Sequence, residues 1–186
     1  MDKQALLKKW PEKWRPGPLT LILLGLIAYL WFYPPATVSN ENRPASPYLL
    51  KLADGRTLTS GQLKGKVVLV NFWATWCPYC RKEMPAIDEF WQDYRGRGFE
   101  VLAVSVDDTP AQITAWFRQH GYRFAAAPMD ESVRQAFGNV SSLPTSFIVD
   151  ADGTIRHKVV GQVYYGRLKK LVSPLLGSAA PSPVAR

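Results

Sequence analysis

Seven consecutive residues near the middle of the chain, Val67–Trp73 (VVLVNFW), are apolar except for Asn71. Such a run, rich in β-branched and aromatic side chains and without polar alternation, is the signature of a strand covered on both faces. Phe99 to Val106 (FEVLAVSV) has the same character. A helix is expected between them, from Cys77 to about Tyr94, interrupted or bent at Pro85 because proline removes a hydrogen bond and clashes with the preceding turn. Buried strands alternating with helices point to an α/β sandwich built on a mixed sheet.

The surrounding elements follow from local signals. Tyr48 to Ala53 and Arg56 to Thr59 flank Asp54-Gly55, a two-residue hairpin turn. Thr109 caps a helix with Pro110 in its first position and Gln112 placed to close a capping box. That helix carries Ile113, Trp116 and Phe117 on one face and stops at Gly121. Tyr122 to Ala127 reads as a short strand, and Asp130 caps a helix reaching Phe137. Thr145 to Val149 and Thr154 to Val163 are strands joined at Asp150–Gly153, and a last helix carries Leu168, Leu171, Val172, Leu175 and Leu176.

Upstream, Leu19 to Tyr33 (LTLILLGLIAYLWFY) holds no charge. These residues span roughly 22 Å as helix, and counting from Pro16 to Pro35 brings the segment closer to the roughly 30 Å hydrocarbon core. Lys3, Lys8, Lys9, Lys13 and Arg15 precede it against Asp2 and Glu12, which orients the amino terminus toward the cytoplasm. The competing reading is a cleaved signal peptide with a weak Thr37-x-Ser39 site. Against it, bulky WFYPP stands where small residues should prepare cleavage; a buried core helix would need a polar face that the run lacks. The organisation expected is a basic cytoplasmic tail (1–15), a transmembrane anchor (16–35), a linker (36–46) rich in Pro, Ser and Asn, a folded domain (47–177) and a disordered tail (178–186).

The chain has two cysteines, and both lie in Cys77-Pro78-Tyr79-Cys80 at a strand end and a helix start. Spacing i, i+3 there brings the two Cα atoms to about 5 to 6 Å, within disulfide range. The first cysteine meets the unpaired N–H groups and positive dipole end of the helix, which favour a thiolate. A thiol of pKa near 8.5 is about 3% ionised at pH 7, and lowering it to about 7 takes roughly 2 kcal/mol. Cys77 therefore reads as the nucleophile and Cys80 as the resolving thiol. A stapling disulfide so short removes little chain entropy. His120 and His157 have no ligand spacing to the motif, so no resident metal or cofactor is expected, although a copper(I) dithiol site stays open.

VNFWATWCPYC, Pro85 and Leu143-Pro144-Thr145 together resemble the thioredoxin superfamily, in particular its membrane-tethered, extracytoplasmic TlpA-like branch, over about residues 46 to 177. SVDD after the second buried strand, FIVDADG, and the additional helix and strand at 110 to 127 are similar to that branch. The resemblance implies a thioredoxin-like fold, a mixed central β-sheet flanked by helices, with an N-terminal β-hairpin and an inserted helix-strand, preceded by one transmembrane helix. It also implies a redox-active disulfide between Cys77 and Cys80, a cis peptide before Pro144, and substrate contacts at Trp76, Pro78, Tyr79, Leu143, Pro144 and Thr145. Asn71 stands where thioredoxin has a buried Asp. Glu83, one turn after Cys80, resembles the active-site glutamate of the branch; partly buried, its pKa would rise toward that of a proton acceptor for Cys80. Pro78-Tyr79 is the glutaredoxin pair, but the FWATW block argues against glutathione dependence.

The activity expected is extracytoplasmic thiol–disulfide exchange, by a protein-disulfide reductase more than an oxidase. Its partners would be protein thiol and disulfide substrates, such as apocytochrome c or copper-site thiols, and a membrane electron donor or acceptor. The alternative is a copper(I)-binding assembly or tolerance factor using the same dithiol. Peroxide reduction lacks its Pro and Thr upstream of the cysteine. The 23 Lys and Arg against 15 Asp and Glu divide between the amino-terminal tail and a basic carboxyl-terminal end, a topology signal and a basic face, not a nucleic-acid site.

Overall fold

β4 (Val67–Trp73) is buried at all seven positions and forms the spine of the protein. The computed structural model describes residues 17–32 and 35–177. These divide into two units, separated between Pro35 and Ala36. The first contains α1 (Pro18–Phe32). The second contains β1 (Thr37–Pro44), β2 (Leu49–Lys51), β3 (Thr57–Thr59), β4, α2 (Pro78–Tyr94), β5 (Phe99–Ser105), α3 (Pro110–His120), β6 (Ala125–Pro128), α4 (Glu131–Phe137), β7 (Thr145–Val149), β8 (Thr154–Val160) and α5 (Tyr165–Leu176). The expected tails, 1–15 and 178–186, lie outside the described residues.

Six strands form one sheet in the order β1-β8-β7-β4-β5-β6, and β2 and β3 form a separate hairpin. β4 runs parallel to β5 and antiparallel to β7, so the sheet is mixed. Alternation along β4 divides the core in two. Val67, Leu69 and Trp73 face α2, α3 and α5, packing with Met84, Ile87, Phe90, Ile113, Leu168 and Val172. Val68, Val70 and Phe72 face the hairpin and α4, packing with Leu50, Val133 and Phe137. Phe72 meets the rings of Phe137 and Phe147 edge-on at 5.9 and 5.7 Å, and burial of such a side chain contributes roughly 2 to 3 kcal/mol. The same alternation puts Asn71 on the α2 side.

Two expectations change. Residues 37–44, within the expected linker, form edge strand β1, antiparallel to β8 with a bulge between Asn40 and Arg43. Asn42 takes a left-handed φ of 47° in that bulge, which Asn tolerates better than most residues. The strand also covers His157, whose Nδ1 lies 2.8 Å from Asn40 Oδ1, so this histidine is half-buried and not a solvent-facing side chain. α2 passes through Pro85 as one helix. Of the segment expected to span a membrane (16–35), the described part forms the 15-residue helix α1; among the described residues no helix is long and apolar enough to cross one.

Candidate active site

β4 ends at Trp73, and a short turn leads into α2. Cys77 is the N-cap of that helix, in extended conformation, and its Sγ accepts from the Cys80 N–H at 3.2 Å. Pro78 fills the first helical position, where no N–H is needed. The Cα atoms of Cys77 and Cys80 are 5.3 Å apart and their sulfurs are joined in a disulfide. Cys77 keeps 3% exposure and Cys80 none, so only the first sulfur has an edge open to a partner.

Two acidic residues beyond β5 fix the approach to this helix. Asp108, buried, accepts from the Thr75 N–H at 2.8 Å, the Thr75 hydroxyl at 2.6 Å and the Ser105 hydroxyl at 2.6 Å. Exposed Trp76 donates its indole N–H to Asp107 at 2.8 Å. The indole is thereby held out over a groove of about 440 Å³ lined by Trp76, Cys77, Pro78, Tyr79, Val106 and Leu143, among others. The Leu143–Pro144 peptide bond is cis. Pro144 and Thr145 are both buried, and neither lines the groove. Thr145, expected at the substrate contact, is 2% exposed; it pairs with Phe72 of β4 and turns its hydroxyl to the Ser142 carbonyl at 2.7 Å.

Glu83 lies one turn below Cys80 on α2 and is fully buried, deeper than the partial burial expected from sequence. Its carboxyl accepts from the Asn71 amide at 2.8 Å and the Val163 N–H at 2.7 Å. Burial pushes its pKa up to about 8, against the lowering effect of the bonds from Val163 and Asn71. A carboxyl in that state can hold a proton near neutral pH and exchange it with a neighbouring group. Asn71 also donates to the Ser146 hydroxyl at 3.0 Å, while its Oδ1 is buried without a hydrogen-bond partner.

The structure thus brings Cys77 together with Trp76, Pro78, Tyr79 and Leu143 at the groove, with Cys80 and Glu83 buried behind it. Asp107, Asp108, Gln162 and Val163 carry no sequence signal that places them at the site, and Asn71, noted only as standing where thioredoxin has a buried Asp, proves to hold Glu83. Asn71 had a signal, since a lone amide in a fully apolar strand requires a buried partner. Among the described residues no group of three or more His, Cys, Asp or Glu side chains is placed to hold a metal ion. His120 stacks on Trp116 at 4.1 Å between ring centroids, with Nδ1 2.8 Å from the Trp116 carbonyl oxygen. Among the described residues a copper(I) ion at the two sulfurs would find no third His, Cys, Asp or Glu ligand.

A family profile described as the AhpC/TSA family matches residues 42–158. The thiol-disulfide oxidoreductase ResA of Bacillus thuringiensis (strain Al Hakam) is 31% identical over 148 residues, covering 77% of this chain and 85% of the relative. ResA of Bacillus subtilis (strain 168) is 29% identical over 150 residues, 79% of this chain and 83% of the relative. A crystal structure of a thioredoxin-family thiol:disulfide interchange protein from Chlorobium tepidum TLS superposes with a TM-score of 0.69 at 28% identity, covering 75% of this chain and 99% of that one. With the cysteine pair capping α2 and these relatives matched along most of the folded unit, the chain belongs to the thioredoxin-like AhpC/TSA family and is one of its thiol–disulfide oxidoreductases.

Proposed function

We propose that the protein is a membrane-anchored, extracytoplasmic reductase of protein disulfides in which Cys77 attacks and Cys80 resolves. The Cys77 thiolate attacks a substrate disulfide, forming a mixed disulfide and releasing one substrate thiolate. Cys80 gives its proton to the ionised form of Glu83 and attacks Cys77 Sγ, releasing the second substrate sulfur as a thiolate, which takes a proton from Glu83 or from water. Two electrons pass to the substrate, and the Cys77–Cys80 disulfide is reduced again by a dithiol of a membrane electron donor. The observation that carries this reading is the buried Glu83 one helical turn from the resolving sulfur, whose pKa of about 8 makes its ionised fraction a base strong enough to take the Cys80 proton.

The groove beside Cys77 suits an extended peptide. Trp76 and Tyr79 are 63% and 47% exposed beside the sulfur, and Leu143 and buried Pro144 border the cis bond opposite. Apocytochrome c or copper-site thiols are the substrates suggested by the TlpA-like resemblance, which also supplies the reducing direction. The anchor rests on the charge-free run and on the exposure of Leu19, Ile22, Leu26 and Trp31 along α1. Rapid alkylation of thiols in intact cells tests direction and location together. A mainly reduced Cys77–Cys80 pair, reached by a membrane-impermeant reagent once the outer barrier is opened, supports the reading. A mainly oxidised pair makes the protein an oxidant, and thiols shielded from that reagent place the domain in the cytoplasm.

A further inference from the structure

Gln162 lies between β8 and α5, more than eighty residues from the cysteines in sequence, and is 1% exposed. A buried primary amide requires partners at both ends. Its Nε2 donates to the Tyr79 carbonyl at 3.1 Å, and its Oε1 accepts from the Tyr164 hydroxyl at 2.9 Å. The Gln162 main-chain carbonyl is itself held by the Arg167 guanidinium. Tyr79 C=O and Cys80 N–H are the two ends of one peptide unit, and that N–H is the donor to Cys77 Sγ. The bonds therefore form one directed chain: Tyr164 hydroxyl to Gln162 amide, Gln162 amide to the 79–80 peptide, and that peptide to the sulfur.

We propose that Gln162 is a positioning residue for the thiol chemistry, polarising the Tyr79–Cys80 peptide so that its N–H stabilises the Cys77 thiolate. The inference rests on Cys77 being the attacking thiol. Hydrogen bonds in series through amides strengthen one another by about 10 to 30% per bond, and a bond to an ionised acceptor is the kind most affected. Donation into the carbonyl draws electron density from the peptide nitrogen and makes its N–H a better donor. All the donors point toward the sulfur, so their effects add. The next residue, Val163, uses its N–H to hold Glu83. Two adjacent residues of one segment thus grip the attacking and the resolving sides of the motif.

Other charged and titratable groups surround the motif. Arg81, Lys82 and Glu83 lie on its own helix, Asp107 and Asp108 hold Trp76 and Thr75 from beyond β5, and Tyr164 and Arg167 adjoin Gln162. Gln162→Leu and Tyr164→Phe change none of the ionised groups, so a change in Cys77 acidity reports the hydrogen-bond chain.

The experiment is iodoacetamide alkylation of the full-length reduced protein as a function of pH, with the modified cysteine identified by peptide mass. Equilibration against glutathione and thermal unfolding are measured alongside. In Gln162→Leu the Cys77 pKa should rise by about 0.3 to 0.5 units, lowering its thiolate fraction at pH 7 about 1.5- to 2-fold from a starting pKa near 7. The alkylation rate reached at high pH should be retained. Tyr164→Phe, one bond further away, should move the pKa in the same direction by less. It carries the test alone if the leucine variant does not fold. An unchanged Cys77 pKa in the folded variants overturns the proposal. First alkylation at Cys80 in the unaltered protein would instead overturn the assignment of Cys77 on which it rests.

Discussion

Two helices of this protein begin in the same way and are used differently. α2 starts Cys77-Pro78 and α3 starts Thr109-Pro110; in each the N-cap side chain accepts from the N–H three residues on, Cys80 at 3.2 Å and Gln112 at 3.4 Å. In α3 the third residue returns the favour, Gln112 Oε1 accepting from the Thr109 N–H at 2.9 Å, and the box is closed. In α2 the third residue is the other cysteine, and the link back is a bond between sulfurs. A geometry that stabilises one helix start thus supplies, with sulfur in both places, a reversible covalent switch beside a positive dipole end. The surroundings complete the difference: α2 has an ionisable carboxyl buried one turn below Cys80.

Breaking the comparison at its chemical end has the largest effect. Cys77→Ser keeps a good N-cap, so thermal stability measured on the reduced protein should stay within about 0.5 kcal/mol. Reduction of a model protein disulfide, followed by release of free thiol, should fall at least about a thousandfold. Residual exchange near the unaltered rate would show that the cap sulfur is not the attacking one.

Glu83→Gln tests what lies beneath. The rate of resolution, followed by decay of a trapped mixed disulfide, should drop roughly tenfold to a hundredfold and lose its inflection near pH 8. Stability carries a second signature. The native carboxyl titrates at about 8 against an ordinary 4.5, so between those values the folded chain holds a proton that the unfolded chain has released. Stability from this group is therefore full below about pH 4.5 and declines as pH rises through about 8. Urea unfolding across that window should show a loss on the order of 3 to 5 kcal/mol in the unaltered protein and little of it in the variant. A flat profile in both would remove Glu83 from the comparison.

The smallest effect is expected at the other helix. Thr109→Ala opens the α3 box and should cost about 1 kcal/mol by urea unfolding, with disulfide exchange unchanged. A change in exchange rate there would show that the two helix starts are coupled, and that the contrast between them is not one of independent sites.

Much of this organisation could be read along the chain because its signals are local. The α3 capping box, the Asp130 cap (which accepts from the Val133 N–H at 3.0 Å) and the two buried strands need only neighbouring residues to be recognised. β1 is different. TVSNENRP shows no apolar alternation because the strand lies exposed at the sheet edge; its pairing is decided by β8, more than a hundred residues away. Gln162 is equally invisible from sequence, a polar residue in a loop whose partner lies 83 positions earlier. Thr145 lies off the groove lining for a related reason: the resemblance implied a substrate contact there, whereas its position is set by pairing with Phe72 across the sheet.

The grip of Gln162 and Val163 on the first turns of α2 also bears on how the protein is born. A chain made from its amino terminus presents both cysteines long before the segment that clamps Tyr79 and Glu83 has been synthesised, and before β7 and β8 can join the sheet. Until then Glu83 stays in water with an ordinary carboxylate acidity, and the hydrogen-bond relay to Cys77 has no beginning. A ribosome-bound or truncated chain ending before residue 160 therefore carries two thiols of commonplace reactivity. The tuned pair comes into being only as the last quarter of the domain arrives.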